Sequence, residues 1–140
     1  MSKKFVVLIA LLVLLASCAA NGPHETKPAS PRVNTVYIWD ADGHIDLALL
    51  RGLKAEAGSY MKSKGIAVSD NPEATESYLK ITVIDATKDE DSGHAYINAR
   101  LYILNASDSS IIYDRTFEAK GKGDYPIGKF VEGALKDYFR

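Results

Sequence analysis

Beyond residue 32 the chain alternates hydrophobic and polar residues over several short stretches, and a period of two is typical of β-strands with one buried face. The stretches cover residues 33–39, 78–85, 95–104 and 111–119, with a shorter apolar candidate at residues 66–68. Short polar segments connect the last three long stretches. Because consecutive strands with short connections usually pair with each other, we expect these three to form an antiparallel meander.

Two other stretches repeat their hydrophobic residues every three or four positions, which indicates helices with one apolar face. They cover residues 45–64 and 127–139. The first helix is expected to start at a capping aspartate, Asp42 or Asp46, and to stop at Gly65. The predicted order is therefore β-α-(β)-β-β-β-α, an α+β fold in which an antiparallel meander sheet carries two helices on one face.

Arg115 interrupts the pattern of the last predicted strand. It falls on the side that otherwise carries Ile111, Tyr113 and Phe117. We therefore expect a β-bulge or a change of register at this position.

The other face of the predicted sheet carries large polar and aromatic side chains. If Leu79, Ile97 and Leu101 point to the helices, the alternate residues project from the opposite face. These are Tyr78, Tyr96, Arg100, Tyr102 and Leu104. Tyrosine and arginine are favoured at protein contacts, so Tyr78, Tyr96, Arg100 and Tyr102 are a candidate partner-binding face. The alternative is that tyrosines are simply good strand residues that tolerate half-exposure.

The first residues follow a third pattern. Lys3 and Lys4 precede an unbroken apolar run of eleven residues, 5–15. A helix that spans a bilayer needs about 20 apolar residues. The run is therefore predicted to belong to a cleaved secretion signal and not to a permanent membrane span.

Residues 15–18, Leu-Ala-Ser-Cys, follow this run and resemble the lipobox of bacterial lipoproteins. Cys18 is the only cysteine of the chain, so it has no partner for an intramolecular disulfide. The resemblance implies a signal peptide over residues 1–17 and a lipid on Cys18, with a diacylglyceryl group and usually a further acyl chain such as palmitate. Two or three acyl chains anchor a protein stably in a membrane.

The residues after Cys18 bear on which membrane holds the protein. Ala19, Ala20 and Asn21 follow the cysteine, where an aspartate commonly marks retention in the inner membrane in the lipoproteins that this leader resembles. The resemblance thus implies anchoring in the outer membrane, facing the periplasm.

Residues 19–32 have the composition of a linker, with three of the five prolines and almost no hydrophobic residues. The predicted organisation is a signal peptide at residues 1–17, a lipidated N-terminus and flexible linker at residues 18–32, and a single α+β domain at residues 33–140. Loss of the signal removes two lysines and changes the formal charge from −1 to −3. Such a chain has no basic excess to neutralise phosphates, so a nucleic-acid partner is not expected.

No motif for chemistry stands out. Residues 40–46 contain three aspartates and could suggest a calcium-binding EF-hand loop. Such a loop has glycine at its sixth position and glutamate at its twelfth. Counted from Asp40, the glycine is at position four and Arg51 is at position twelve, which excludes this loop. A strand-to-helix turn with a capping aspartate accounts for this segment. His24, His44 and His94 lack the spacing of zinc ligands.

Catalytic signatures are likewise missing from the sequence. There is no G-x-S-x-G nucleophile turn, and Gly121-Lys-Gly123 lacks the spacing of a phosphate-binding loop. The sequence therefore predicts no catalytic residue, no metal, no cofactor and no enzyme activity.

The element order, together with the stretch AYINARLYILNASDSSIIYDRTF at residues 95–117, resembles small outer-membrane lipoprotein domains of unassigned function. This resemblance implies a fold more than an activity. We expect a membrane-anchored, non-enzymatic accessory or protein-binding module of the cell envelope. The alternative is a carrier or sensor of a lipid or glycan ligand held between the helices and the sheet.

Overall fold

The computed structural model describes residues 33–140. The predicted signal peptide at residues 1–17, the lipid on Cys18 and the linker at residues 18–32 lie outside the described residues and stay predictions. Within the described part, no helix is long and apolar enough to span a membrane.

The described residues form five strands, two helices and one 3₁₀ turn, in the predicted order. The elements are β1 Thr35–Ile38, α1 Leu47–Ser63, β2 Ala67–Val68, the 3₁₀ turn Pro72–Ala74, β3 Ser77–Asp89, β4 His94–Asn105, β5 Ile111–Lys122 and α2 Ile127–Leu135.

The five strands form one sheet in the order β2-β1-β3-β4-β5. β3, β4 and β5 are the predicted antiparallel meander, but β1 pairs in parallel with both β2 and β3. The fold is therefore α+β as predicted, with a mixed sheet and not a pure meander. β1 and β2 are parallel because α1 carries the chain from the end of β1 back to the start of β2. Such a crossover returns the next strand in the same direction.

The limits of α1 follow from its two caps. The Asp46 carboxylate accepts a hydrogen bond of 2.9 Å from the backbone N–H of Ala48, so Asp46 is the N-cap. Gly65 follows the helix with φ of +81°, and its N–H donates to the carbonyl of Lys62 at 3.0 Å. Both predicted signals are confirmed, since a left-handed glycine is the usual helix stop.

One layer of buried side chains joins the sheet to both helices, which lie on the same face. Its fully buried members include Leu79, Ile97, Leu101 and Ile103 from the sheet and Leu53, Met61, Phe130, Val131 and Leu135 from the helices. Removing this apolar surface from water is the main stabilising contribution to the fold.

The irregularity expected at Arg115 lies elsewhere in the same strand. The register of β4 and β5 shifts between Ile103 and Leu104, which face Tyr113 and Ile111, so Ile112 is the extra residue. Arg115 itself stays in register on the helix side and forms an ion pair with Asp137, beyond the end of α2. The prediction of a bulge at Arg115 is wrong in position, because a partner at the rim of the core satisfies the charge without a bulge there.

Candidate functional site

All four residues of the candidate partner-binding face lie on the side of the sheet that carries no helix, which we call the open face. Tyr78, Tyr96, Arg100 and Tyr102 alternate with buried residues that face the helices. This placement agrees with the sequence analysis. Whether the open face binds a partner stays a prediction.

Arg100 and Tyr102 belong to one compact group of side chains. The Nε and Nη2 atoms of Arg100 donate to the two carboxylate oxygens of Asp114 at 2.8 and 2.6 Å. These hydrogen bonds hold the pKa of the Asp114 carboxyl below its usual range and raise the pKa of the Arg100 guanidinium. Both shifts favour the charged forms of the two side chains.

Tyr102 lies between two cations. The guanidinium carbon of Arg100 is 5.1 Å from the centroid of its ring, and the Nζ atom of Lys80 is 5.9 Å from it. Lys80, Tyr102 and Asp114 come together because they are direct neighbours across β3, β4 and β5. A ring flanked by cations presents a flat, polarised surface, which is typical of contact sites.

Tyr96 lies farther along β4, away from this group. The Nζ atom of Lys120 is 5.1 Å from the centroid of its ring. Tyr96 also lines a depression of about 250 Å³ whose other walls are polar. The remaining lining residues are Asp85, Thr87, Asn98 and Glu118.

Tyr78 belongs to an aromatic cluster that the sequence analysis missed. The ring of Trp39 meets Tyr37 and Tyr78 edge-on, with centroids 5.3 and 5.8 Å apart. The hydroxyl of Tyr78 donates to the carbonyl of Pro72 at 3.1 Å, and Trp39 remains 41% exposed. The alternation of β1 places Tyr37 and Trp39 on one face, but only the parallel pairing of β1 with β3 reveals that this face is the one carrying Tyr78.

The open face is thus a polar and aromatic surface. Its charged side chains are balanced, with Lys80, Arg100 and Lys120 against Asp85, Asp114 and Glu118. Among residues 33–140, no group of three or more His, Cys, Asp or Glu side chains is placed to hold a metal ion. The arrangement is suited to recognition by packing and hydrogen bonds.

No protein-family model matches the chain, and no curated protein matches it either. Solved structures share its fold. The PelC dodecamer of Paraburkholderia phytofirmans superposes with a TM-score of 0.60 at 14% identity, over 73% of this chain and 85% of that one. Lipoprotein GNA1162 of Neisseria meningitidis superposes with a TM-score of 0.52 at 11% identity, over 64% of this chain and 81% of that one. Protein XCC0632 of Xanthomonas campestris superposes with a TM-score of 0.51 at 16% identity, over 80% of this chain and 83% of that one. At these identities the similarity establishes the fold alone. GNA1162, one of the structures with this fold, is a bacterial lipoprotein.

Proposed function

We propose that this chain is a membrane-anchored lipoprotein of the bacterial envelope whose domain is a non-enzymatic protein-binding module. The observation that carries the proposal is the open face, where Trp39, Tyr102 and Arg100 stand on a sheet that no helix covers. Aromatic residues and arginine supply most of the binding energy at protein contacts, because they combine a large packing area with a polar group.

The anchor in this proposal is a lipid on Cys18. It rests on the lipobox-like residues 15–18, and the fold shared with lipoprotein GNA1162 is consistent with it. Residues 19–32 would then connect the lipid to the domain, over at most about 46 Å when fully extended. A domain on such a tether reaches partners near the periplasmic side of an outer membrane.

The partner in this proposal is another protein of the envelope or a second copy of the chain. PelC is a dodecamer, so the fold is compatible with assembly from identical copies. Crosslinking from the open face distinguishes these two kinds of partner.

A carrier of a lipid or glycan is the weaker candidate. A ligand held between the helices and the sheet needs an internal space, whereas the described side chains at the centre of that layer, such as Leu53, Ile97 and Phe130, are fully buried against one another. This packing favours the contact module.

The test is photo-crosslinking in living cells. A benzophenone side chain replaces Tyr96 or Tyr102 on the open face, and Lys136, which is exposed beyond the end of α2, provides the control position. We expect a discrete adduct from positions 96 and 102 and none from position 136, and mass spectrometry of the adduct identifies an envelope protein or the chain itself. Equal adducts from all three positions, or none from the open face, would contradict the proposal.

A second variant separates contact from folding. Alanine at Tyr96, Arg100 and Tyr102 together should abolish the adduct formed from a benzophenone at Trp39, while the circular dichroism spectrum stays unchanged. An undiminished adduct in this folded variant would exclude these three side chains as the contact.

A further inference from the structure

A second surface, separate from most of the open face, has the features of a binding site. A groove of about 450 Å³, which we call the edge groove, lies between α1 and the outer edge of β1. Its lining residues are Tyr37, Ile38, Arg51, Lys54, Ala55, Gly58, Ser59, Lys62, Val68, Ser69 and Asp70. This volume is within the range of about 300–1,000 Å³ that is typical of ligand pockets. We propose that the edge groove binds a short acidic peptide segment in an extended conformation.

The open edge of β1 provides backbone groups for such a segment. β2 pairs only with Thr35 and Val36, whereas β1 continues to Ile38. Within the described part of the chain, the backbone groups of Ile38 therefore point outward with no neighbouring strand, whereas those of Tyr37 point to β3. An unpaired strand edge is a template for an added strand, and peptide recognition by β-augmentation uses such edges.

The wall formed by α1 leaves room for a peptide backbone. Ala55, Gly58 and Ser59 have small side chains or none along the stripe of α1 that lines the groove. A Cβ atom at Gly58 would lie 3.6 Å from Cδ1 of Ile38, an ordinary contact, so the position itself is not crowded. The small residues keep the groove open where larger ones would close it.

The charge of the groove selects an acidic occupant. Arg51, Lys54 and Lys62 line it against a single acid, Asp70, although the whole chain has a formal charge of −1. Lys54 pairs with Asp40 at 2.6 Å. Among residues 33–140, the side chains of Arg51 and Lys62 form no hydrogen bond or salt bridge. Arg51 helps Lys54 to lower the pKa of the Asp40 carboxyl, so part of its charge is already balanced, whereas the charge of Lys62 is available to a ligand. Complementary charge of this kind gives specificity and speeds association.

The spacing of the cations suits an extended peptide. Residues 51 and 62 are about 16 Å apart along a helix that rises 1.5 Å per residue. An extended chain covers this distance in about five residues, and every second side chain points to the same side. Carboxylates at alternate positions of a pentapeptide would therefore face α1. Residues 19–32 of the chain itself do not match, because their one acid, Glu25, is accompanied by Lys27 and Arg32.

The test uses the full chain in detergent micelles and a fluorescent peptide, Glu-Val-Glu-Val-Glu, blocked at both ends. We expect saturable binding by anisotropy, and we expect Lys62→Glu to weaken it about tenfold, equivalent to about 1.4 kcal/mol. Lys136→Glu makes the same charge change outside the groove and should leave binding unchanged. Equal weakening by both variants, or no saturable binding, would overturn the proposal.

Three further measurements separate the groove from general charge attraction. Gly58→Leu fills the groove and should abolish binding, whereas Gly58→Ala should preserve it. The peptide Glu-Glu-Glu-Val-Val has the same charge without the alternation and should bind more weakly. Equal affinity for the two peptides would overturn the extended conformation. The third measurement is binding of the chain to vesicles of anionic phosphatidylglycerol. If this binding depends on Lys62 and neither peptide binds, the groove contacts a membrane surface and the proposal is overturned.

Discussion

Gly133 shows how a single missing side chain sets the closest approach of α2 to the sheet. The ring of Phe117 on β5 covers this glycine, and a Cβ atom there would lie 2.2 Å from its Cζ atom. The Phe117 ring also contacts the Phe130 ring, with centroids 6.1 Å apart, so moving it away from Gly133 would disturb this contact. We expect Gly133→Ala to lower the free energy of unfolding by about 1–3 kcal/mol through overpacking, measured by urea denaturation.

Gly128 in the same helix is the matched control for this substitution. The nearest atom to a Cβ there is Oε1 of Glu56 at 3.6 Å, which is ordinary contact. Gly128→Ala should therefore raise the stability by up to about 1 kcal/mol, the usual gain of alanine over glycine in a helix. If both variants gain stability, the steric role of Gly133 is wrong.

Three tyrosines near the ends of the helices make stability depend on alkaline pH. Burial raises the pKa of Tyr60, Tyr113 and Tyr138 above the ordinary value. The unfolded chain loses these protons near pH 10, before the folded chain does. Their contribution is therefore fully present below about pH 10 and is lost as the pH rises through the folded pKa values.

Tyr113 offers the clearest test of this pH dependence. Its hydroxyl donates to the carbonyl of Ala134 at 2.6 Å, so the neutral form is the one that fits. We expect the free energy of unfolding of the native chain to fall as the pH rises above about 10, and that of Tyr113→Phe to fall less steeply although it starts lower. Parallel curves for the two proteins would show that Tyr113 does not titrate differently on folding.

At the scale of elements, the start of α1 depends on one of two sequence candidates. The side chain of Asp46 caps the helix, whereas Asp42 contributes backbone hydrogen bonds to Ile81 and Val83 of β3. We expect Asp46→Ala to cost about 0.5–2 kcal/mol of stability in urea denaturation, the usual range for a lost N-cap. Asp42→Ala should cost clearly less, because its backbone bonds remain, and the reverse order would refute this assignment of the cap.

The elements themselves could be predicted because their signals are local. Period-two alternation located β3, β4 and β5, and the helical period located α1 and α2. The helical spacing of hydrophobic residues in the sequence continues to Phe139, although α2 ends at Leu135. It continues because Tyr138 and Phe139, in the turn after the helix, still pack against the core. Burial alone does not distinguish a helix from a turn that packs on the same side.

The order of the strands could not be predicted in this way. The position of β1 depends on pairings such as Val36 with Ser77, about forty residues apart in the chain, and an alternating strand looks the same at any place in a sheet. Alternation within β3 and β4 was enough to place Tyr78, Tyr96, Arg100 and Tyr102 on the open face. It was not enough to predict the Tyr37–Trp39 cluster or the edge groove. Both require β1 at its observed place beside α1 and β3.

At the scale of the whole molecule, the open face and the edge groove have functional meaning only if the domain is held near its partners, which the lipid on Cys18 would ensure. In the lipoproteins whose leader this chain resembles, lipid attachment precedes cleavage of the signal peptide. We therefore expect Cys18→Ser to lose incorporation of radioactive palmitate and to retain residues 1–17, seen as a larger species on a gel. Ala20→Ser lies outside the lipobox and should be labelled and cleaved normally. Palmitate labelling or normal cleavage of Cys18→Ser would refute the anchor and leave the domain free of the membrane, whatever its two surfaces bind.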